Sequence, residues 1–387
     1  VSAAALRLHA AAARAVAEMT ELVGISSPFG DIDGAERAIT LCRKSLPAGA
    51  DVQRLPCSTA ACAPDLLATL SGGGSRRLLL LGHLDTVVAH SSHKPARRES
   101  GRIYGSGTED MKGGVALVLA LARELAARPE DFAEIAVLLV CDEEWRSAPF
   151  AHTQRFAGYD ACLCFEAGEW TEDGADGVIV QRKGATTLVV EAHGRAAHTG
   201  SAPQDGRNAL LALAVLAQRV AALSDPDGPQ ALSVVPTVIH SGDANNVVPD
   251  RGKLTVDSRA ASTDAFAQLL AAVPAQIAGV TLEAKLERVW PSLQPSAATT
   301  TLVTTASERL GRPIVPRRRG GASDVSHLAP LVPVCIDGLG PCGGGAHAPD
   351  EYVEESSFLP RLEVALALTQ TLLAAGPGAA GREPVAR

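Results

Sequence analysis

Apolar and polar positions follow two styles along this chain. Residues 78–81 are four consecutive leucines, ended by Gly82-His83-Leu84-Asp85. A short unbroken apolar run predicts a strand buried on both faces, as in a parallel sheet. IAVLLVC at 135–141 and ACLCF at 161–165 repeat the pattern. Helical periodicity lies between and before these runs. The Ala/Leu stretch after Gly113-Gly114 is one example, and the N-terminal VSAAALRLHAAAARAVAEMT reads as an amphipathic helix. Helices alternating with buried strands predict a mostly parallel, doubly wound α/β sheet flanked by helices.

From about residue 182 the strands become shorter and amphipathic: TTLVVEA at 186–192, residues 231–240, and KLTVDS at 253–258. Helix patterns at 208–223 and 264–278 separate them. This β-α-β-β-α-β-like order predicts a small α+β, ferredoxin-like domain, an antiparallel sheet with two helices on one face. The first style returns at about 293. A main domain made of 1–181 and 293–387, with 182–292 inserted, is therefore expected, and 387 residues is too long for one ordinary core. The tail at 374–387, rich in Gly, Pro and Ala, is expected to fray.

The chemistry sits where the apolar runs stop. The first run delivers His83 and Asp85, the second Asp142-Glu143-Glu144, the third Glu166. Two Gly-rich loops add Asp110, in GSGTEDMKGG at 105–114, and His347, after Gly343-Gly344-Gly345. Strand C-termini are where open α/β sheets bind ligands. Any one of these acids reads most simply as a solvated loop residue. Together they form a set of carboxylates and imidazoles suited to a metal ion.

Composition narrows the rest. A net charge of −8 argues against a nucleic-acid partner, which would want a basic face, and Arg317-Arg318-Arg319 reads as a solvated strand or loop. No run of 18 apolar residues predicts a membrane span. The Ala-rich N-terminus, interrupted by Arg7, His9 and Arg14, makes a poor signal peptide, so a cytoplasmic location is expected. The eight cysteines include no CxxC pair. Cys141, Cys162 and Cys164 read as small buried hydrophobes, with a thiolate zinc site at Cys162 and Cys164 the minor alternative.

Longer motifs sharpen this reading. They are GHLDTV at 82–87, GRIYGSGTEDMKGG at 101–114, DEE at 142–144, FEAG at 165–168, QRKG at 181–184, GRAAHTGSAPQDGRNA at 194–209, SGDANNVVPD at 241–250, GGASD at 320–324 and GGGAHAPDEYV at 343–353. In this order they resemble the M20 family of zinc aminoacylases and carboxypeptidases, and most of all its glutamate carboxypeptidase (carboxypeptidase G2-like) branch. The resemblance implies two zinc ions, cobalt or manganese being alternatives. Asp110 would bridge them, His83 and Glu166 would complete one site, and Glu144 and His347 the other. Glu143 would be the general base and Asp85 the partner that orients His83. His198 and Asn246 would reach the active site of the partner subunit and bind the oxyanion there, and Arg259 would bind the substrate carboxylate. The implied activity is hydrolysis of the amide bond to a C-terminal amino acid, glutamate for example, in a small N-acyl or short peptide substrate. The inserted domain would act as lid and homodimer contact. A deacylase of the acetylornithine or succinyl-diaminopimelate type is the alternative activity, and a catalytically silent binding protein the alternative class. Two positions depart from the branch: Val325-Ser326 in a loop expected near the substrate face, and Cys342 before the three glycines. Trp145, Trp170 and Trp290 are the candidates for stacking on an aryl substrate, and Trp145, directly after Glu144, is the candidate for walling an acyl pocket or for simple packing.

Overall fold

The computed structural model describes residues 2–375, so most of the Gly/Pro/Ala tail lies outside the described residues. The chain divides into two compact units. One comprises the described residues up to Gln181, Gln294–Arg318, and those from Ser323 onward; the other is Arg182–Leu293 with Arg319–Ala322.

The first unit is built on a six-stranded sheet. Its order is Asp51–Leu55, Asp65–Ser71, Glu134–Val140, Arg77–His83, Ala161–Cys164, Val334–Ile336. The last four run parallel to one another, and the first two form an antiparallel edge. The connection from Arg77–His83 to Glu134–Val140 passes through the helix Gly113–Ala126, the βαβ unit that parallel neighbours require. Leu78 to Leu81 are fully buried, as a strand covered on both faces must be. The helix Gly113–Ala126 is apolar nearly all round and buries Gly113 to Ala122 without a break.

Helices Ala3–Val23, Ala297–Leu310 and Phe358–Ala374 close the same core. Ser2 starts the first by accepting the Ala5 amide, and Gly311, at φ 73°, ends the second in the left-handed region. Within this core Arg361 is fully buried. It donates to the carbonyls of Gly177 at 2.8 Å, Gly340 at 3.1 Å and Gly338. A helix thereby holds the loop that leads to the His347 segment.

The second unit is an antiparallel sheet of Ser233–Ser241, Arg251–Ala260, Gly184–His193, Val280–Trp290 and Gln276–Ile277, in that order. Helices Ala209–Ala221 and Ala265–Ala271 pack on it in one core with Leu188, Val190, Leu254 and Val256. Asn208 caps the first helix by accepting the Leu211 amide. The second helix is shorter than its apolar pattern predicts. Pro274 disfavours helix just before it, and Ala278 and Gly279, at φ 48° and 76°, then make a two-residue hairpin between Ile277 and Val280. Arg317-Arg318-Arg319 ends the strand Ile314–Arg319, with Arg317 Nε 2.7 Å from Glu169. No helix among the described residues is long and apolar enough to cross a membrane.

One contact fixes the helix Gly113–Ala126 against the strand end that carries Glu166. A Cβ on Gly114 would lie 1.8 Å from the Phe165 carbonyl oxygen and 3.0 Å from Met111. The Gly114→Ala variant should therefore lose about 1–3 kcal/mol or more of stability. Urea denaturation measures this, and a loss below about 0.5 kcal/mol would mean that the helix can move away.

Candidate active site

The parallel register lines up the strand ends. His83 pairs with Val140, and Leu81 with Cys164. Asp142-Glu143-Glu144 and Glu166 therefore leave the sheet level with His83. His83 Nε2 lies 3.0 Å from Asp110 Oδ1 and 3.8 Å from Glu166 Oε1. The other Asp110 oxygen is 3.1 Å from His347 Nε2, which is 3.2 Å from Glu144 Oε2. Two groups result, His83–Asp110–Glu166 and Asp110–Glu144–His347, each with its ligand atoms within 4.8 Å of one another. Asp110 belongs to both. Its turn follows Gly107 in the left-handed region at φ 78°, and His347 itself sits at φ 65°.

The donor chemistry fits a cation. His83 Nδ1 lies 3.0 Å from the Asp85 carbonyl oxygen. A carbonyl only accepts, so Nδ1 carries the proton and a neutral ring turns its Nε2 lone pair toward the two carboxylates. Three acceptors facing one another need extra protons or a metal. On their own the residues take up protons. Burial disfavours a charged His83, but hydrogen bonds with Asp110 and Asp85 and the charges of Glu166 and Glu143 outweigh it and hold its pKa well above the usual imidazole range. Hydrogen bonds with Asp110 and Glu144 lift His347 to about 10. Burial pushes Glu143 and Glu144 up. For Glu143 the charges of Glu166 and Asp324 add to burial, and His83 opposes. A dication held by these residues would take the place of the protons.

Asp85 sits between His83 and the Glu143-Glu144 turn. Its carboxylate is 3.5 Å from His83 Nδ1, farther than its own carbonyl oxygen. The same carboxylate accepts the amides of Glu143 at 3.1 Å and Glu144 at 3.0 Å. A residue on one strand end thus holds the turn of the next.

With this geometry in hand, comparison with known proteins is direct. Residues 79–371 match the model of peptidase family M20/M25/M40. The chain belongs to this family. It is 28% identical over 374 residues to carboxypeptidase G2 of Pseudomonas sp. (strain RS-16), covering 92% of this chain and 88% of that protein. It is 32% identical over 331 residues to succinyl-diaminopimelate desuccinylase of Stenotrophomonas maltophilia (strain R551-3), covering 77% and 85%. Among solved structures it resembles a Staphylococcus aureus tripeptidase, with TM-score 0.75, 20% identity and coverage of 94% and 98%. It also resembles an M20 family metallo-carboxypeptidase from Sulfolobus solfataricus, with TM-score 0.73, 16% identity and coverage of 93% and 99%. M20 enzymes are metal-dependent hydrolases with carboxypeptidase and peptidase members, and this chain is one of that family.

Within the M20 frame, three expected substrate-binding residues lie in the second unit. His198 and Asn246 come together there: His198 bridges to Val247, and the Thr199 amide donates to the Asn246 carbonyl at 3.1 Å. Both side chains are exposed. His198 Nδ1 accepts the amides of Gly200 at 3.0 Å and Ser201 at 3.2 Å. Its Nε2 therefore carries the proton and points a donor outward. Arg259 lies on the strand Arg251–Ala260 and donates to Asp257 at 3.0 and 3.2 Å. That pair is half-buried and open to solvent on one side, so it contributes little by itself.

Other expectations change. Val325 and Ser326 are fully buried, where the loop was read as open to the substrate face. Ser323 Oγ instead bonds Asp337 at 2.5 Å, and Asp324 pairs with Arg146. Cys342 is buried, and its amide donates to Ser357 Oγ at 3.0 Å. Cys162 and Cys164 are buried and fall in no metal-ligand group among the described residues. Such a group does form at Cys57, Asp65 and Asp142. Its carboxylates are already engaged, Asp65 by the Cys141 amide and His152, and Asp142 by the Thr59 amide and Arg146. Trp290 is buried, whereas Trp145 and Trp170 are exposed.

Arg146 escaped the sequence reading. Its fully buried guanidinium donates to Asp142 Oδ1 at 3.0 Å and to both oxygens of Asp324, with Oδ2 at 2.8 Å. A basic residue three positions after Glu143 was the only signal, and its partner lies 178 residues away. Arg146→Ala leaves two buried carboxylates without their cation and should cost about 3–5 kcal/mol. Chemical denaturation measures this, and a cost below about 1 kcal/mol would show that water or another cation takes its place.

Proposed function

We propose that this chain is a dizinc amidohydrolase that cleaves the amide bond to a C-terminal amino acid of N-acyl or short peptide substrates, with glutamate as the first candidate. The observation that carries the reading is the sharing of Asp110 between two ligand groups while Glu143, beside Glu144, belongs to neither. His83 and Glu166 would hold one ion, Glu144 and His347 the other, and Asp110 both. Bound there, the ions would polarise the scissile carbonyl and acidify a water.

Glu143 then acts as general base and carries the proton to the leaving amine. A carboxylate that lies beside both ligand groups and belongs to neither is free to take up a proton and to give it back. Asp85 keeps Glu143 and Glu144 in place through their amides. His198, with its Nε2 donor, and Asn246 would reach the partner subunit's active site and stabilise the oxyanion there, and Arg259 would exchange Asp257 for the substrate carboxylate. In this reading 1–181 and 293–387 form the catalytic domain, and 182–292 the lid and dimerisation domain.

The desuccinylase reading has its own support in the 32% identity to that enzyme. The deciding assay measures amino-acid release from N-acyl and dipeptide substrates, acetylornithine and N-succinyl-diaminopimelate included, by metal-stripped protein with and without added zinc. Zinc-dependent release of C-terminal glutamate supports the proposal, and preference for the acylated diamines moves the chain to the deacylase group. Glu143→Gln should keep its zinc and lose activity by about 10²–10⁴-fold. Full activity in that variant would remove Glu143 from the chemistry. No turnover with zinc bound would favour a silent binding protein.

The homodimer is proposed through the second unit. Its edge strand Ser233–Ser241 exposes Val235, Val238 and Ile239, and the helix Ala209–Ala221 exposes Leu210, Leu211 and Val215. An apolar strand edge left open invites pairing. Light scattering should give twice the chain mass of 39.8 kDa, and Leu211→Glu with Ile239→Glu should halve it. A monomeric unmodified protein would overturn the dimer.

A further inference from the structure

We infer that Glu351 and Glu109 are positioning residues that clamp the Asp110 turn and the His347 loop to each other, so that the two metal-binding loops behave as one piece. Glu351 follows His347 by four residues and is 3% exposed. Its Oε1 accepts the amides of Glu109 at 2.7 Å and Asp110 at 3.0 Å, and its Oε2 accepts that of Gly107 at 2.7 Å. Its backbone carbonyl takes the Gly105 amide at 3.1 Å. One side chain from the His347 loop thus gathers the backbone of the turn that presents Asp110.

The clamp is reciprocal. Glu109, 7% exposed and adjacent to Asp110, accepts the amide of Ala346 at 3.0 Å. Ala346 immediately precedes His347, whose left-handed backbone at φ 65° is uncommon outside glycine and needs support. The strand Tyr352–Glu354 continues the join by pairing with Arg102–Tyr104, just before the Asp110 turn. Each acid therefore sits on one loop and accepts backbone N–H groups of the other, next to a ligand residue. Carboxylates hydrogen-bonded to several amides make strong, directional struts in a buried setting. Ligand groups held in this way lose less freedom when a metal binds.

The inference rests on the dinuclear metal reading for its consequence, and its test separates the two. Hydrogen exchange on the metal-free protein examines the clamp alone. Glu351→Gln puts an amide group where an acceptor is needed. It should speed exchange in both 105–112 and 343–348, while the sheet strands stay protected. Zinc titration of the same proteins examines the consequence. Glu351→Gln should weaken both ions about tenfold or more. Glu109→Ala should weaken only the ion shared by Glu144 and His347, and Glu109→Gln, which keeps an acceptor for Ala346, should restore it. In the zinc-loaded enzyme Glu351→Gln should lower kcat and leave KM unchanged. Unchanged exchange in 343–348 on Glu351→Gln, or zinc affinities of Glu351→Gln and Glu109→Ala within twofold of the unmodified protein, would overturn the clamp. An unmodified protein that binds fewer than two zinc ions would overturn the dinuclear reading, with the exchange data still deciding on the clamp.

Discussion

Acceptors crowded into one half-buried nest set the central constraint on this molecule. Asp110 offers one oxygen to His83 and the other to His347, with Glu166, Glu144 and Glu143 close by. Such a group of carboxylates cannot stay fully ionised out of water without cations. The raised proton affinities of His83, His347, Glu143 and Glu144 express that strain. Metal binding is the chemistry that turns the same crowding to use, and the family is metal-dependent. Much of the first unit can be understood as the apparatus that keeps these groups together against their repulsion.

That apparatus is polar and buried. Asp85 ties the Glu143-Glu144 turn to the His83 strand. Arg146 neutralises Asp142 and Asp324 beneath it. Arg361 gathers the carbonyls of Gly177, Gly338 and Gly340, and Glu351 gathers the amides around Asp110. Each strut joins a strand end or helix to a loop that has little apolar surface of its own. Loops of this kind cannot be fixed by hydrophobic burial, so directional hydrogen bonds to charged groups do it. The apolar sheet and helices below supply the rigid floor.

The second unit works by other means. Its sheet is amphipathic, its core a single layer of aliphatic side chains between sheet and helices. The polar residues of interest, His198 and Asn246, lie on neighbouring loops brought together by the His198–Val247 bridge. The same bridge region fixes the His198 tautomer through the Gly200 and Ser201 amides. Fold and donor direction are therefore set locally.

The sequence by itself determined the elements and the kind of chemistry. Strands covered on both faces must be unbroken apolar runs, so residues 78–81, 135–141 and 161–165 declared themselves, as did the acids and histidines at their ends. It could not say which distant charged groups pair to support that cluster. Glu351 closes on the Asp110 amide across 241 residues, and Arg146 on Asp324 across 178. No local pattern marks either pair, since a buried charge looks like a solvated one until its partner is known. The burial of Val325, Ser326 and Trp290, and the carbonyl that sets the His83 tautomer, were likewise decided only by tertiary structure. Apolar periodicity is a property of neighbours in the chain, whereas charge compensation is a property of neighbours in space.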